Sequence, residues 1–154
     1  VLWNSTGCGN TFNANHPAAR GMIIASLRHW VEAMHVDGFR FDLASALTRG
    51  GDGRPLERPP LIEAITTDPV LANTALIAEA WDAAGLYQVG TFPGYRWSEW
   101  NDRFRDDVRR FWRGDDGMAS NFAKRLHGSG DLFERNNRPP SASVSASRAW
   151  ATAS

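Results

Sequence analysis

Two short apolar runs that each end on a carboxylate constrain this chain more than any other feature. The first, VDGFRFDLAS (Val36 to Ser45), reads as a buried strand closing on Arg40 and Asp42; the second, TALIAEAWD (Thr74 to Asp82), ends on Glu79. Side chains alternate along a strand, so Arg40 and Asp42 share one face while Phe39, Phe41 and Leu43 take the other. An acid and a base beside apolar neighbours are costly to bury unless they are paired or in use. The pair is therefore either an ion pair that staples a strand end or part of a site.

The text between the runs decides the architecture. A Gly/Pro-rich loop, RGGDGRPLERPP (Arg49 to Pro60), is followed by a piece at helical spacing, Pro60 to Thr67, with Leu61, Ile62 and Ile65 on one side. Asp68-Pro69 ends it, because proline disfavours helix at the residue before it. Strand, helix, strand, with a crossover of this length, predicts a parallel βαβ unit whose strands lie side by side. Asp42 and Glu79 then both stand at the carboxyl ends of adjacent parallel strands, where sites of α/β folds form. Neighbouring strands are about 4.8 Å apart. A retaining glycosidase separates its two carboxyls by about 5–5.5 Å and an inverting one by about 6.5–9.5 Å, so the inferred geometry is nearer the retaining case.

These residues carry a family resemblance. DGFRFDLAS (Asp37 to Ser45) and IAEAWD (Ile77 to Asp82) resemble the second and third signature regions of the α-amylase family, glycoside hydrolase family 13. Four further blocks resemble isoamylase-type debranching enzymes, which cleave α-1,6 branch points of starch and glycogen. They are GCGNTFNANHP (Gly7 to Pro17), RHWVEAMHVDGFRFDLA (Arg28 to Ala44), GLYQVGTFPGYRWSEWNDRFRDDVRRFWRGDDG (Gly85 to Gly117) and FAKRLHGSGDLF (Phe122 to Phe133). The insert GGDGRPLERPPLIEAI (Gly50 to Ile65) is most similar to plant and algal isoamylases. The resemblance runs from about Asn4 to Arg138.

What it implies is specific. The fold class is α/β, the middle strands and helices of a (β/α)₈ barrel, with residues 1–138 a fragment of the catalytic domain. Asp42 is the nucleophile, Glu79 the acid and then base, and Arg40 the group that keeps Asp42 ionised and aimed. A nearby guanidinium lowers a carboxylate's pKa, whereas an apolar setting beside Ala78, Ala80 and Trp81 raises that of Glu79. Trp81 and Asp82 are candidate substrate contacts, although an aromatic ring there packs in a core as readily as on a pyranose. The implied partner is a branched α-glucan, with homo- or hetero-oligomers of debranching subunits as the assembly. The implied location is the plastid stroma in a plant or alga and the cytoplasm otherwise; no cofactor is implied. A catalytically silent glucan-binding subunit and an α-1,4-acting member of the same family are the alternatives.

The family pattern also has an upstream Asn-His and a downstream third acid that this sequence does not match. After Asn136-Asn137-Arg138-Pro139 the text becomes SASVSASRAWATAS, with no His and no carboxylate. Residues 139–154 are accordingly expected to be a disordered or misread-frame tail. A barrel of this kind takes about 250 residues, so this 154-residue polypeptide is expected to be poorly stable by itself and inactive on glucan.

Two flanking helices are expected. The first starts near Pro17 with Asn15 or His16 outside it, and its stripe Met22, Ile23, Leu27, Trp30, Val31 and Met34 reads as core. The second runs from Ser98, as N-cap, to Trp112, with Trp100, Phe104, Val108 and Phe111 along one side. Its other face interleaves Asp102, Asp106 and Asp107 with Arg103, Arg105, Arg109 and Arg110. Lys+Arg and Asp+Glu both total 17, so this face pairs with itself rather than forming a nucleic-acid patch. The single cysteine, Cys8, excludes an internal disulfide framework. No Cys/His/carboxylate spacing supports a metal, no run approaches the roughly 20 apolar residues of a membrane span, and Asn10, Asn13 and Asn15 read as turn and cap residues.

Overall fold

The computed structural model describes residues 3–133 and the backbone of 143–144. The chain divides into two compact units, Val1–Gln88 with Phe92–Trp97, and Val89–Thr91 with Ser98–Ser154.

The first unit contains the βαβ arrangement. Helix α1 (Pro17–Glu32) leads into β1 (Gly38–Phe41), a 3₁₀ turn (Ala44–Thr48), α2 (Pro60–Thr67) and β2 (Ala75–Ala78). β1 and β2 are parallel and in register from Gly38↔Ala75 to Phe41↔Ala78. The ladder extends past both ends: Ala75 N–H donates to Asp37 O at 2.9 Å, and Glu79 N–H to Phe41 O at 3.0 Å. Gly38 makes the close pairing possible, since a Cβ there would stand 2.8 Å from both Ala75 Cβ and its carbonyl oxygen.

The core of this unit lies under α2. Leu61, Ile62 and Ile65, the three residues at helical spacing, are all buried, together with Leu71, Leu76, Ala78 and Trp97. Trp97 packs its ring 4.7 Å from Phe41 and 5.3 Å from Phe92, and its indole N–H donates to Thr66 Oγ1 at 2.9 Å. The open carbonyls at the end of α2 need donors. Arg96 supplies one, reaching Thr66 O at 3.1 Å, and it also ties down the connection to β2 through Leu71 O at 2.9 Å and Thr74 O at 3.0 Å. Asp68 stops the helix as expected, accepting from Val70 N–H at 2.9 Å and pairing with Arg28 at 2.8 Å.

Two expectations for this unit are corrected. The first strand is shorter than Val36 to Ser45 and only half buried; it ends at Phe41, and Leu43 turns left-handed (φ 43) instead of joining the Phe39/Phe41 face. Helix α1 does start at Pro17, with His16 Nδ1 accepting from Ala18 N–H at 3.3 Å. Its apolar stripe, however, is buried only at Leu27. Met22, Trp30 and Met34 are 60, 48 and 54% exposed, and only Ala19 and Leu27 are buried on the helix.

The second unit holds β3 (Ser98–Trp100), α3 (Asp102–Arg113), α4 (Ala119–Leu126), α5 (Gly130–Phe133) and β4 (Ser143–Val144). Ser98 is a strand residue, not the cap. Asn101 caps α3 instead, accepting from Phe104 N–H at 3.0 Å while its amide donates to Ser129 Oγ at 2.8 Å. The competing element is the strand: Glu99 is fully buried and accepts from Gly90 N–H at 2.5 Å, which a first-turn helical position would not allow. Helix α3 ends on Gly114 in the left-handed region, and Phe111 stacks on Phe122 with centroids 4.1 Å apart. Its charged face pairs with itself in part, through Arg105 and Asp106, whereas Asp107 meets buried Arg125 of α4 at 3.1 Å. β4 pairs parallel with β3 through Glu99↔Ser143 and Trp100↔Val144. It falls in the Ser/Ala-rich segment where composition predicts no strand; the rest of residues 139–154 lies outside the described residues.

Candidate active site

The register of β1 on β2 places Asp42 and Glu79 at the same level, one residue past paired strand ends. The segment after Asp42 then folds over Glu79. Ala44 N–H donates to Glu79 O at 2.9 Å, and Leu43 N–H donates to the Glu79 carboxylate at Oε2, 3.1 Å away. The other carboxylate oxygen, Oε1, pairs with Arg40 Nη2, and the same Arg40 nitrogen stands 3.7 Å from Asp42 Oδ1. One guanidinium thus serves two carboxylates.

The two acids differ in environment. The Asp42 side chain is 74% exposed and that of Glu79 only 11%. Burial pushes the Glu79 carboxyl above its ordinary value, and the neighbouring Asp42 carboxyl adds to that; the Leu43 amide and Arg40 oppose it without cancelling it. A carboxyl that keeps its proton more readily, beside an accessible one, is the asymmetry a double-displacement glycosidase uses. Arg40 is placed differently from expectation: its tighter partner is Glu79, and Asp42 is the more distant one.

Trp81 is half buried, donates its backbone N–H to Glu79 O at 2.8 Å, and forms an antiparallel bridge with Tyr87. Asp82 has a structural position. Its side chain is fully buried, pairs with Arg49 Nε at 2.6 Å, and accepts from Ala84 and Leu86 N–H at 3.0 Å each. These contacts hold the loop after β2 in place and leave no exposed carboxylate for a sugar. Arg49 also donates to Gly53 O at 2.7 Å, so it ties the Gly/Pro-rich loop to the same point.

Two participants were not singled out from the sequence. Arg49 sits in loop text where a charge gives no sign of its partner, 33 residues away. Leu43 acts through its backbone, and no leucine announces a left-handed conformation. Asn15 was expected as a turn or cap residue beside α1, but His16 is that cap, and Asn15 instead ties distant segments together: its amide donates to Leu47 O and Arg49 O at 2.8 Å, and its oxygen receives Leu61 N–H at 2.9 Å. Among the described residues no three His, Cys, Asp or Glu gather as metal ligands, and no helix is long and apolar enough to cross a membrane.

No family model matches the chain. Individual proteins do. Over 140 residues it is 58% identical to isoamylase 3, chloroplastic, of Oryza sativa subsp. japonica, which takes in 90% of this chain and 18% of that protein. Over 159 residues it is 54% identical to isoamylase SU1, chloroplastic, of Zea mays, covering 90% and 20%. This chain is a relative of the isoamylases. It spans about a fifth of the length of the curated relatives it matches. The backbone agrees: a crystal structure of pullulanase complexed with maltotetraose, from Anoxybacillus sp. LM18-11, aligns with a TM-score of 0.64 and 25% identity over 86% of this chain and 20% of that one. The isoamylase-like chain is thus a mixed helix and parallel-strand segment of the kind found in that structure.

Proposed function

We propose that this isoamylase relative carries the catalytic middle of a (β/α)₈ glycoside hydrolase that cleaves α-1,6 branch linkages of starch or glycogen with retention. Residues 1–138 belong to that barrel in this reading, with a branched α-glucan as partner, like debranching subunits as companions in an assembly, and the plastid stroma as the location in a plant or alga. The observation that carries it is the matched register of Asp42 and Glu79 on adjacent parallel strands, with the two carboxyls sharing Arg40.

In the first step the Asp42 carboxylate attacks the anomeric carbon. The bond from that carbon to the branch oxygen breaks, and the oxygen takes the proton of Glu79. In the second step the Glu79 carboxylate takes a proton from water, whose oxygen attacks the same carbon and releases Asp42. While Glu79 holds its proton, Arg40 has the Asp42 carboxylate as a partner 3.7 Å away. Arg40 then pairs with Asp42, and with Glu79 again as that proton departs. Trp81 offers an aromatic face to the sugar, and Asp82 positions the loop that carries it.

The test is reducing-end release from amylopectin by a polypeptide that contains this segment. Asp42→Asn and Glu79→Gln should each lose activity by about 10²–10⁴-fold, and the first product seen by NMR should be the α-anomer. A β-anomer as first product would overturn retention. Release from amylose with none from amylopectin branches would move the reading to an α-1,4 hydrolase. Glucan pull-down without release would make it a binding subunit.

A further inference from the structure

Leu43 is one of three described non-glycine residues with positive φ, and the only one of them beside the two carboxylates (φ 43, ψ 46). Left-handed backbone costs a leucine roughly 1–2 kcal/mol, and such strain persists where the surroundings over-determine it. The surroundings here are visible. Phe41 O is committed to Glu79 N–H at 3.0 Å, and Ala44 N–H to Glu79 O at 2.9 Å, so the chain is pinned to residue 79 on both sides of Leu43. Leu43 O accepts from Ala46 N–H at 2.9 Å, which fixes the peptide that follows. Between these anchors the Leu43 N–H meets Glu79 Oε2 at 3.1 Å.

We propose that the left-handed turn at Leu43 makes it a positioning residue for Glu79: its backbone amide holds one carboxylate oxygen while Arg40 holds the other. This rests on the catalytic reading of Glu79 above, but the hydrogen bond can be tested without it. The segment that carries one carboxylate, Asp42, thereby orients the second. An amide bound to the ionised form also restrains how tightly Glu79 keeps its proton, acting against burial and against the neighbouring Asp42, and together with Arg40. Asp42 and Arg40 are the charged groups that meet Glu79 here.

The side chain and the backbone of Leu43 make opposite predictions. If the turn matters, tolerance at position 43 follows the ease of positive φ, with Gly and Asn well accepted and Val poorly. If instead the half-buried leucine side chain matters, Val is the mildest change and Gly and Asn the worst. The experiment is the carboxyl titration of Glu79, followed by ¹³C NMR in the full 154-residue chain for Leu43→Gly, Leu43→Asn and Leu43→Val. Leu43→Gly and Leu43→Asn should keep the parent titration. Leu43→Val should move it upward, as the amide no longer reaches Oε2. The reverse order, or an unchanged titration in a folded Leu43→Val, overturns the proposal. Should Leu43→Val not fold, a shifted Glu79 in Leu43→Gly and Leu43→Asn overturns it and an unshifted one supports it. Activity is a separate reading: parent-like titrations with a fully active Glu79→Gln would sink the catalytic assignment and leave the positioning intact.

Discussion

Replacing Asp82 should damage the fold rather than sugar binding. Its side chain is fully enclosed, Arg49 opposite is 15% exposed, and the pair is 2.6 Å apart. Removing one member of such a pair leaves a largely desolvated charge and costs about 3–5 kcal/mol. Asp82→Ala also strips the acceptor from Ala84 and Leu86 N–H, so it belongs at the upper end of that range. With a urea slope of about 2 kcal/mol/M, the midpoint should fall by about 2–2.5 M. Asp82→Asn keeps an oxygen for the two amides and loses only the charge, so it should fall less. The double variant Arg49→Met/Asp82→Leu, which removes both charges, should recover much of the loss, because an apolar replacement of a buried pair is often close to neutral. Urea unfolding followed by tryptophan fluorescence measures all four. Maltotetraose binding to folded Asp82→Asn, followed by NMR, is the companion assay and should match the parent. An Asp82→Ala midpoint within about 0.3 M of the parent, a small fraction of the shift this slope implies, would refute the reasoning, and loss of sugar binding alone would return Asp82 to the substrate.

Stability should also respond to pH through Glu79. Burial raises its folded carboxyl above the ordinary 4.5, so the folded chain binds this proton more tightly than the unfolded one. The contribution is then full below 4.5 and is lost as pH rises through the folded value. Relative to Glu79→Gln, the parent should lose urea resistance across that rise; a parent that gains on the variant there would contradict the assignment. Gly38→Ala should cost about 1–3 kcal/mol by forcing β1 from β2, since its Cβ would meet Ala75 at 2.8 Å, and a neutral result would argue against the register. Asn15→Ala should cost about 1–3 kcal/mol, as it leaves Leu47 O, Arg49 O and Leu61 N–H without that partner.

The parts legible in the sequence are those where local pattern and fold agree. Helix α2 was readable to its last residue because its apolar spacing, the prolines before it and Asp68-Pro69 after it all point the same way. The adjacency of the strands that end at Asp42 and Glu79 follows from the parallel crossover, which allows few alternatives, while their level pairing is set by the register of Phe41 on Ala78. The start of α3 was not readable. Ser98 and Asn101 are both good caps, and the choice was made by tertiary burial of Glu99 and by the reach of Asn101 to Ser129, neither of which a single segment records.

The stripe on α1 shows a different limit. Spacing groups residues onto a helix face only as far as the helix runs, and α1 ends at Glu32, before Met34. Nor does spacing identify what lies opposite, and in this chain the Met22, Trp30 and Met34 side chains are largely open to solvent. The site has the same division. The carboxylates announce themselves by residue type at a strand end, whereas what makes them unequal is the depth to which Glu79 is buried, opposed by the Leu43 amide and Arg40. The amide reaches Glu79 because the chain turns back over the end of β2 after Asp42. Residue type marks where the acids stand, burial makes them unequal, and the turn limits how unequal they become.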